Sequence, residues 1–199
     1  MGGRSRRMGQ NKALIRLTPD APPLIETVIA TVGAVADEVF LVGTAVDDSA
    51  SSFAGIRIVP DLVAGAGALG GIHAALGAAR HDHVMVVACD MPFLQVDLLR
   101  FMAEQPRGYD ALMPLVVQLQ PLHAIYARSA LPLIEARLSA GDYRVTSWLG
   151  EGIVHSIPPE TVARFDPDLR SCFNMNTPRD FEEAMSILLA VPDRHLGRT

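Results

Sequence analysis

Val84-Met85-Val86-Val87-Ala88-Cys89-Asp90-Met91-Pro92 is the stretch on which the fold turns: five consecutive apolar residues, three of them β-branched, run without a polar interruption into a cysteine, an acid and a proline. A strand with one wet face alternates apolar and polar residues, whereas unbroken apolarity marks a strand covered on both faces by helices, as in parallel sheets. Asp90 then stands at the carboxyl end of a strand that reads as central. In open α/β sheets, ligands occupy the crevice outside those strand ends.

The same alternation of strand and helix extends in both directions. Upstream, Leu24 to Val32 repeats apolar residues at helical spacing after the breaker run Pro19 to Pro23, and Val39 to Val42 reads as a short buried strand. Ile56 to Val59 is a second β-branched run closed by Pro60, and after a glycine-rich loop Leu69 to Ala79 reads as a helix. Downstream, Gln95 to Ala103 is a helix, and Ala111 to Leu115 and Leu122 to Tyr126 are strands joined by a segment short enough for a hairpin. Ala130 to Leu138 and Phe181 to Leu189 are helices, the second entered through Thr177-Pro178, where proline suits the first turn. The expectation is a three-layer α/β/α, Rossmann-like, doubly wound and mostly parallel sheet, with one antiparallel strand in the second half. Short polar linkers and the lack of repeats make residues 1–199 one domain, with a frayed tail after about residue 191.

Composition narrows the function classes. With 199 residues, 49% hydrophobic and 20% charged, the chain can bury a core without disulfides or a structural metal. Cys89 and Cys172 form no CxxC, so reduced thiols and a cytoplasmic setting are expected, and no apolar run is long enough for a membrane span. A net charge of −5 argues against a whole-surface nucleic-acid binder. The basic residues Arg4, Arg6, Arg7 and Lys12 instead cluster around the glycine-rich start, Gly2-Gly3-Arg4-Ser5-Arg6-Arg7-Met8-Gly9.

That start joins glycines, which let backbone approach a ligand, to cations that hold phosphate oxygens, although it lacks the GxxxxGK[ST] of a P-loop and a disordered terminus has the same composition. Asp90 is a hard oxygen ligand suited to Mg²⁺, which takes one or two carboxylates and fills its shell with phosphate and water. Capping of the next helix is the plainer role for such an aspartate, but Pro92 and Phe93 intervene. Gly65-Ala66-Gly67-Ala68-Leu69-Gly70-Gly71 opens a helix whose amides can face an anion or a base edge, and a flexible turn has the same residue types. Asn174-Met175-Asn176-Thr177-Pro178 also precedes a helix; its amides could orient a metal-bound phosphate, and turn and cap chemistry alone also explains it. Of six histidines none has metal-ligand spacing, and only His123 stands apart; Met8, Met85 and Met91 read as packing.

Taken in order, these segments resemble the bacterial molybdenum cofactor guanylyltransferase (MobA-like) family within the nucleoside-triphosphate transferase fold, over nearly the whole chain. Residues 2–9 followed by Lys12-Ala13-Leu14 resemble its LAGGxSxRMGxDKxLL signature. Asp61 with Gly67-Ala68-Leu69-Gly70-Gly71-Ile72 resembles D…GPLAGI, and Cys89-Asp90-Met91-Pro92-Phe93 resembles CDxPF. Gln120 to Tyr126 resembles HPLxALY, Ala140 to Val145 the segment near the acceptor, and Phe173 to Pro178 the FxNxNTPEDL ending. The resemblance implies that Gly2, Gly3, Ser5 and Lys12 hold the triphosphate, that Asp61 and Gly70 help read guanine, and that Asp90 carries Mg²⁺. It implies Arg7, Lys12 and Asp90 as the catalytic set, with Asn174 and Asn176 supporting the metal and phosphate end. The implied partners are GTP, the molybdopterin cofactor as acceptor and molybdenum cofactor delivery proteins.

Asn11, Ala68, Gln120 and Arg179 replace the family's usual Asp, Pro, His and Glu without removing a phosphate or metal ligand. The family also places an apolar strand and Leu-Ala before the first glycine, where this sequence starts at Met1-Gly2, so a first strand is expected to be missing; a start codon assigned too far downstream or a shortened sequence is the preferred reading, and a protein that truly lacks the strand, with a damaged nucleotide site, is the other. Two other readings are carried forward: a nucleotidylyltransferase of the cytidylyl or sugar-phosphate type, and a non-catalytic nucleotide-binding protein. A nicotinamide dehydrogenase is set aside because no GxGxxG follows a strand with an acid about 20 residues on.

Overall fold

A computed structural model of the chain describes residues 14–43 and 55–190. The glycine-rich start, with Gly2, Gly3, Ser5, Arg7, Met8 and Lys12, lies outside the described residues, as does the tail after about residue 191. In chain order the elements are α1 (Leu24–Gly33), β1 (Phe40–Val42), β2 (Arg57–Val59), α2 (Gly67–Ala78), β3 (His83–Val87) and α3 (Val96–Glu104). There follow β4 (Ala111–Pro114), β5 (His123–Ala127), α4 (Leu131–Ser139), β6 (Val154–Ile157), the single turn α5 (Pro159–Val162) and α6 (Pro178–Ala190).

Three layers follow from the side-chain pattern. Along β3, Val84 and Val86 face one way, into a cluster with Leu69, Ile72 and Leu76 of α2, Ile134 of α4 and Trp148. Met85 and Val87 face the other way, against α1, α3 and α6 through Leu24, Val28, Leu99 and Ala184. The expected burial of this strand by helices on both faces is therefore present, and the α/β/α fold class holds. Arg128, just after β5, donates to the carbonyls of Leu76 and Ala79 at 3.1 and 2.7 Å, so a cation closes the carboxyl end of α2, where the peptide dipoles favour positive charge.

Sheet topology adds two findings. β1 and β2 pair in parallel as one sheet; β3, β5, β4 and β6 form a second in that order, so β3 is an edge of its sheet among the described residues rather than central. The reason is hydrogen bonding: β3 pairs only with β5 there, and its five residues are half-buried whereas those of β4 and β5 are buried. α2 nonetheless packs against β1, β2 and β3 alike and so bridges the two sheets. The expected antiparallel strand is β5, which runs against both β3 and β4. Its hairpin with β4 is closed by a bridge between Leu115 and Leu119. The sixth strand, β6, was not among the sequence expectations; it runs parallel to β4, with Pro114 opposite Ile157.

This topology sets one edge of the molecule. β3, β4 and β6 all end there, and because β5 is antiparallel, it begins there, with His123 opposite Val87. The β4–β5 hairpin, the turn holding Asp90 and the segment leading to α6 all leave or arrive at this edge.

Candidate active site

Asp90 lies in the turn that follows β3, half-buried. It does not cap α3: Gln95 occupies the cap position, and no side chain bonds the helix start. The backbone carbonyl of Asp90 accepts a hydrogen bond from Met175 N at 2.9 Å, which ties the end of β3 to the segment before α6. Asp90 and the Asn174–Asn176 segment are thus brought together.

Of the two readings of the asparagine segment, the backbone follows turn and cap chemistry. Asn176 N and Thr177 N donate to the Asp180 carboxylate at 2.7 and 2.8 Å, while Asp180 N donates back to Thr177 Oγ1 at 3.2 Å. This is a reciprocal cap of α6. Met175 N is committed to Asp90 and the next two amides to Asp180. Ligand contact from this segment falls to side chains, with Asn174 Nδ2 already donating to the Cys172 carbonyl at 3.0 Å and Asn176 exposed.

Asp61 and Gly70 also meet. Asp61 Oδ1 accepts from Val63 N at 3.1 Å, and a β-carbon added to Gly70 would stand 2.8 Å from that oxygen and 2.8 Å from Ala66 Cβ. Glycine at position 70 is what lets the carboxylate rest against the first turn of α2. The turn before it needs glycine for a different reason: Gly65 and Gly67 have φ of 81° and 58°, the left-handed region. No side chain caps the start of α2.

These placements put an acid after β3 beside an asparagine segment, and a second acid over the start of α2. The family model for the MobA-like NTP transferase domain matches residues 1–156. The chain belongs to this family. Among MobA-like relatives, a "Probable molybdenum cofactor guanylyltransferase" of Pelotomaculum thermopropionicum is 41% identical over 92% of this chain and 88% of its own. A protein of the same name from Chloroflexus aggregans is 36% identical over 94% of this chain and 91% of its own. The crystal structure of "Molybdopterin-guanine dinucleotide biosynthesis protein A" from Archaeoglobus fulgidus superposes with a TM-score of 0.79 at 31% identity, covering 96% of each chain.

The MobA-like chain holds a buried polar group that the motifs marked only by type. His123 is fully buried; its Nδ1 lies 3.6 Å from Cys172 Sγ, and the buried Asp166 carboxylate accepts from Ser171 N at 2.6 Å. Single-sequence reading singled out the histidine but could not supply its partners, which come from a loop more than 40 residues on. Burial pushes His123 down to about 4, with Asp166 opposing the shift, and pushes the Cys172 thiol up to about 11. Both groups are neutral at pH 7, so Cys172 is not a thiolate nucleophile. Cys89 and Cys172 are both free thiols, and Met85 and Met91 pack in the interior, as expected.

The sign of the His123 effect follows directly. The unfolded chain takes up a proton on this imidazole as pH falls through about 6.5, whereas the folded protein resists until about 4. Stability present above pH 6.5 is therefore lost across that window, by about 3 kcal/mol at its lower end. Urea titrations between pH 7 and 4.5 should show a shallower loss in His123→Gln than in the parent; parallel losses would contradict the assignment.

The loop after α4 is closed on itself. Arg144 donates to Asp142 through Nε at 2.9 Å and Nη2 at 2.7 Å, and this pairing holds the Asp142 carboxyl at about 2. No helix among the described residues is long and apolar enough to cross a membrane.

Proposed function

We propose that this protein is a molybdenum cofactor guanylyltransferase, which transfers GMP from GTP to the terminal phosphate of the molybdopterin cofactor and releases pyrophosphate in the cytoplasm. Its relatives of that name support the reading. The observation that carries it is the 2.9 Å hydrogen bond from Met175 N to the Asp90 carbonyl, which brings the acid after β3 to the Asn174–Asn176 segment; Asp61, seated against Gly70 at the start of α2, supports it.

The residues fit a magnesium ion. No group of three or more acidic, histidine or cysteine side chains among the described residues is placed to hold a metal ion by itself, but Mg²⁺ asks for only one or two carboxylates when phosphates complete its shell. Asp90 would hold it, and the ion would neutralise charge on the triphosphate when bound. Arg7 and Lys12 offset the charge that grows on the departing pyrophosphate, and Gly2, Gly3 and Ser5 bring backbone close to the phosphates. Asp61 accepts from the donor edge of guanine, while Asn174 and Asn176 steady the phosphate end. An acceptor oxygen then attacks the α-phosphorus in line, with positioning rather than a covalent enzyme intermediate providing the acceleration. A delivery protein hands over the acceptor.

The deciding experiment measures pyrophosphate release from each of the four ribonucleoside triphosphates with Mg²⁺ and molybdopterin cofactor. Release from GTP alone supports guanylyl transfer, release from CTP moves the chain to the cytidylyl class, and binding without release makes it a nucleotide-binding protein. Gly70→Ala tests the guanine contact separately. The new methyl displaces the Asp61 carboxylate, so KM for GTP should rise about tenfold, roughly 1.4 kcal/mol, with kcat nearly kept. Gly71→Ala, whose added carbon meets nothing within 4 Å, is the control and should leave KM unchanged.

A further inference from the structure

The β4–β5 hairpin, the loop before Phe173 and α6 enclose a solvent-open cavity of about 660 Å³. That volume lies within the range of small-molecule sites. We propose that it receives the 2-amino-4-oxo heterocycle of the acceptor, with Glu183 and Asp168 accepting hydrogen bonds from the ring's donor edge. This inference rests on the guanylyltransferase reading.

Three observations support it. The first is position: Cys172 lines the cavity, its carbonyl accepts from Asn174 Nδ2, and the next residue, Met175, bonds the Asp90 carbonyl. An acceptor seated there extends along this segment toward the proposed metal end. The second is chemistry. Leu169, Phe173 and Ile187 offer apolar surface for the faces of a ring, while Glu183, Asp168 and Gln118 offer acceptor oxygens at its border. Arg170 pairs with Asp168 at 3.3 Å, which leaves Glu183 as the uncompensated charge of the lining; that excess disfavours an anionic group, so the phosphate end is directed away from the cavity and a donor-rich neutral ring is favoured within it. The third is strain. Leu169, between Asp168 and Arg170, has φ 55° and ψ 30°, uncommon for a residue with a β-carbon, and such outliers cluster where structure holds a ligand-facing loop in place.

Guanine carries the same donor edge, so the experiment must separate the two heterocycles. Unsubstituted pterin, followed by its own fluorescence, is titrated into the full-length protein, its Glu183→Gln and Asp168→Asn forms, and an Asp61→Asn form. Steady-state KM values for GTP and molybdopterin are measured alongside, with thermal melts to establish folding. The expected result is pterin binding about tenfold weaker in the Glu183 and Asp168 variants, with KM for molybdopterin raised to match and KM for GTP unchanged, and the reverse pattern in Asp61→Asn. GMP should leave pterin bound. Unchanged pterin affinity in both cavity variants overturns the proposal, as does GMP displacing pterin together with a raised GTP KM in Glu183→Gln, which would make the cavity the guanine site. Pterin binding that depends on Glu183 in a protein unable to release pyrophosphate from GTP supports the cavity and overturns the transferase reading instead.

Discussion

Asp90→Asn is expected to fold like the parent and to lose guanylyl transfer by about 10²- to 10³-fold, the size typical of removing one electrostatic contact to a transition state. Only a charge is removed. The hydrogen bond that ties β3 to the segment before α6 uses the Asp90 carbonyl and Met175 N, and backbone groups survive the substitution. The loss should fall mainly on kcat, because the charge that Mg²⁺ neutralises grows as pyrophosphate departs. Pyrophosphate release at saturating GTP, with a thermal melt to establish folding, measures it. A variant retaining a tenth or more of the parent rate would remove Asp90 from the metal site.

Trp148→Ala is expected to cost about 3–5 kcal/mol of folding stability. The indole is fully buried, stacks at a tilt on Tyr126 with ring centroids 6.0 Å apart, and lies in the cluster that joins α2 and α4 to the sheet. The chain makes room for it at Gly152, where a β-carbon would come within 2.9 Å of Trp148 Cζ3. Collapse of the surrounding side chains cannot refill a void of that size, so the packing loss adds to the loss of burial. At roughly 2–4 °C per kcal/mol for a domain of this length, the melting temperature should fall by about 6–20 °C. Trp148→Phe, which keeps a ring, should lose distinctly less. A drop below about 1 kcal/mol in the alanine variant would mean that this cluster does not anchor the α2 side of the sheet.

The sequence by itself determined the order and kind of the larger elements, because their signals are local. The apolar run at Val84 to Ala88, the helical spacing from Leu24 to Val32 and the Thr177-Pro178 entry each act within a few residues, and each element appears within two or three residues of its expected position. The motifs likewise named residues at strand and helix ends, of which Asp61 meets Gly70 and the Asp90 turn meets the Asn174–Asn176 segment. What needed the tertiary structure was every relation set by a distant partner. β6, Val-His-Ser-Ile, lacks a continuous apolar run and becomes a strand by pairing with β4. Among the described residues β3 lies at an edge because hydrogen-bond partners, not its own apolarity, decide strand order. Asp180 takes the amides of Asn176 and Thr177, Cys172 meets His123 across 49 positions, and the cavity forms only where hairpin, loop and helix converge. Local periodicity reports which face of a segment is apolar; it carries no record of which other segment will cover that face.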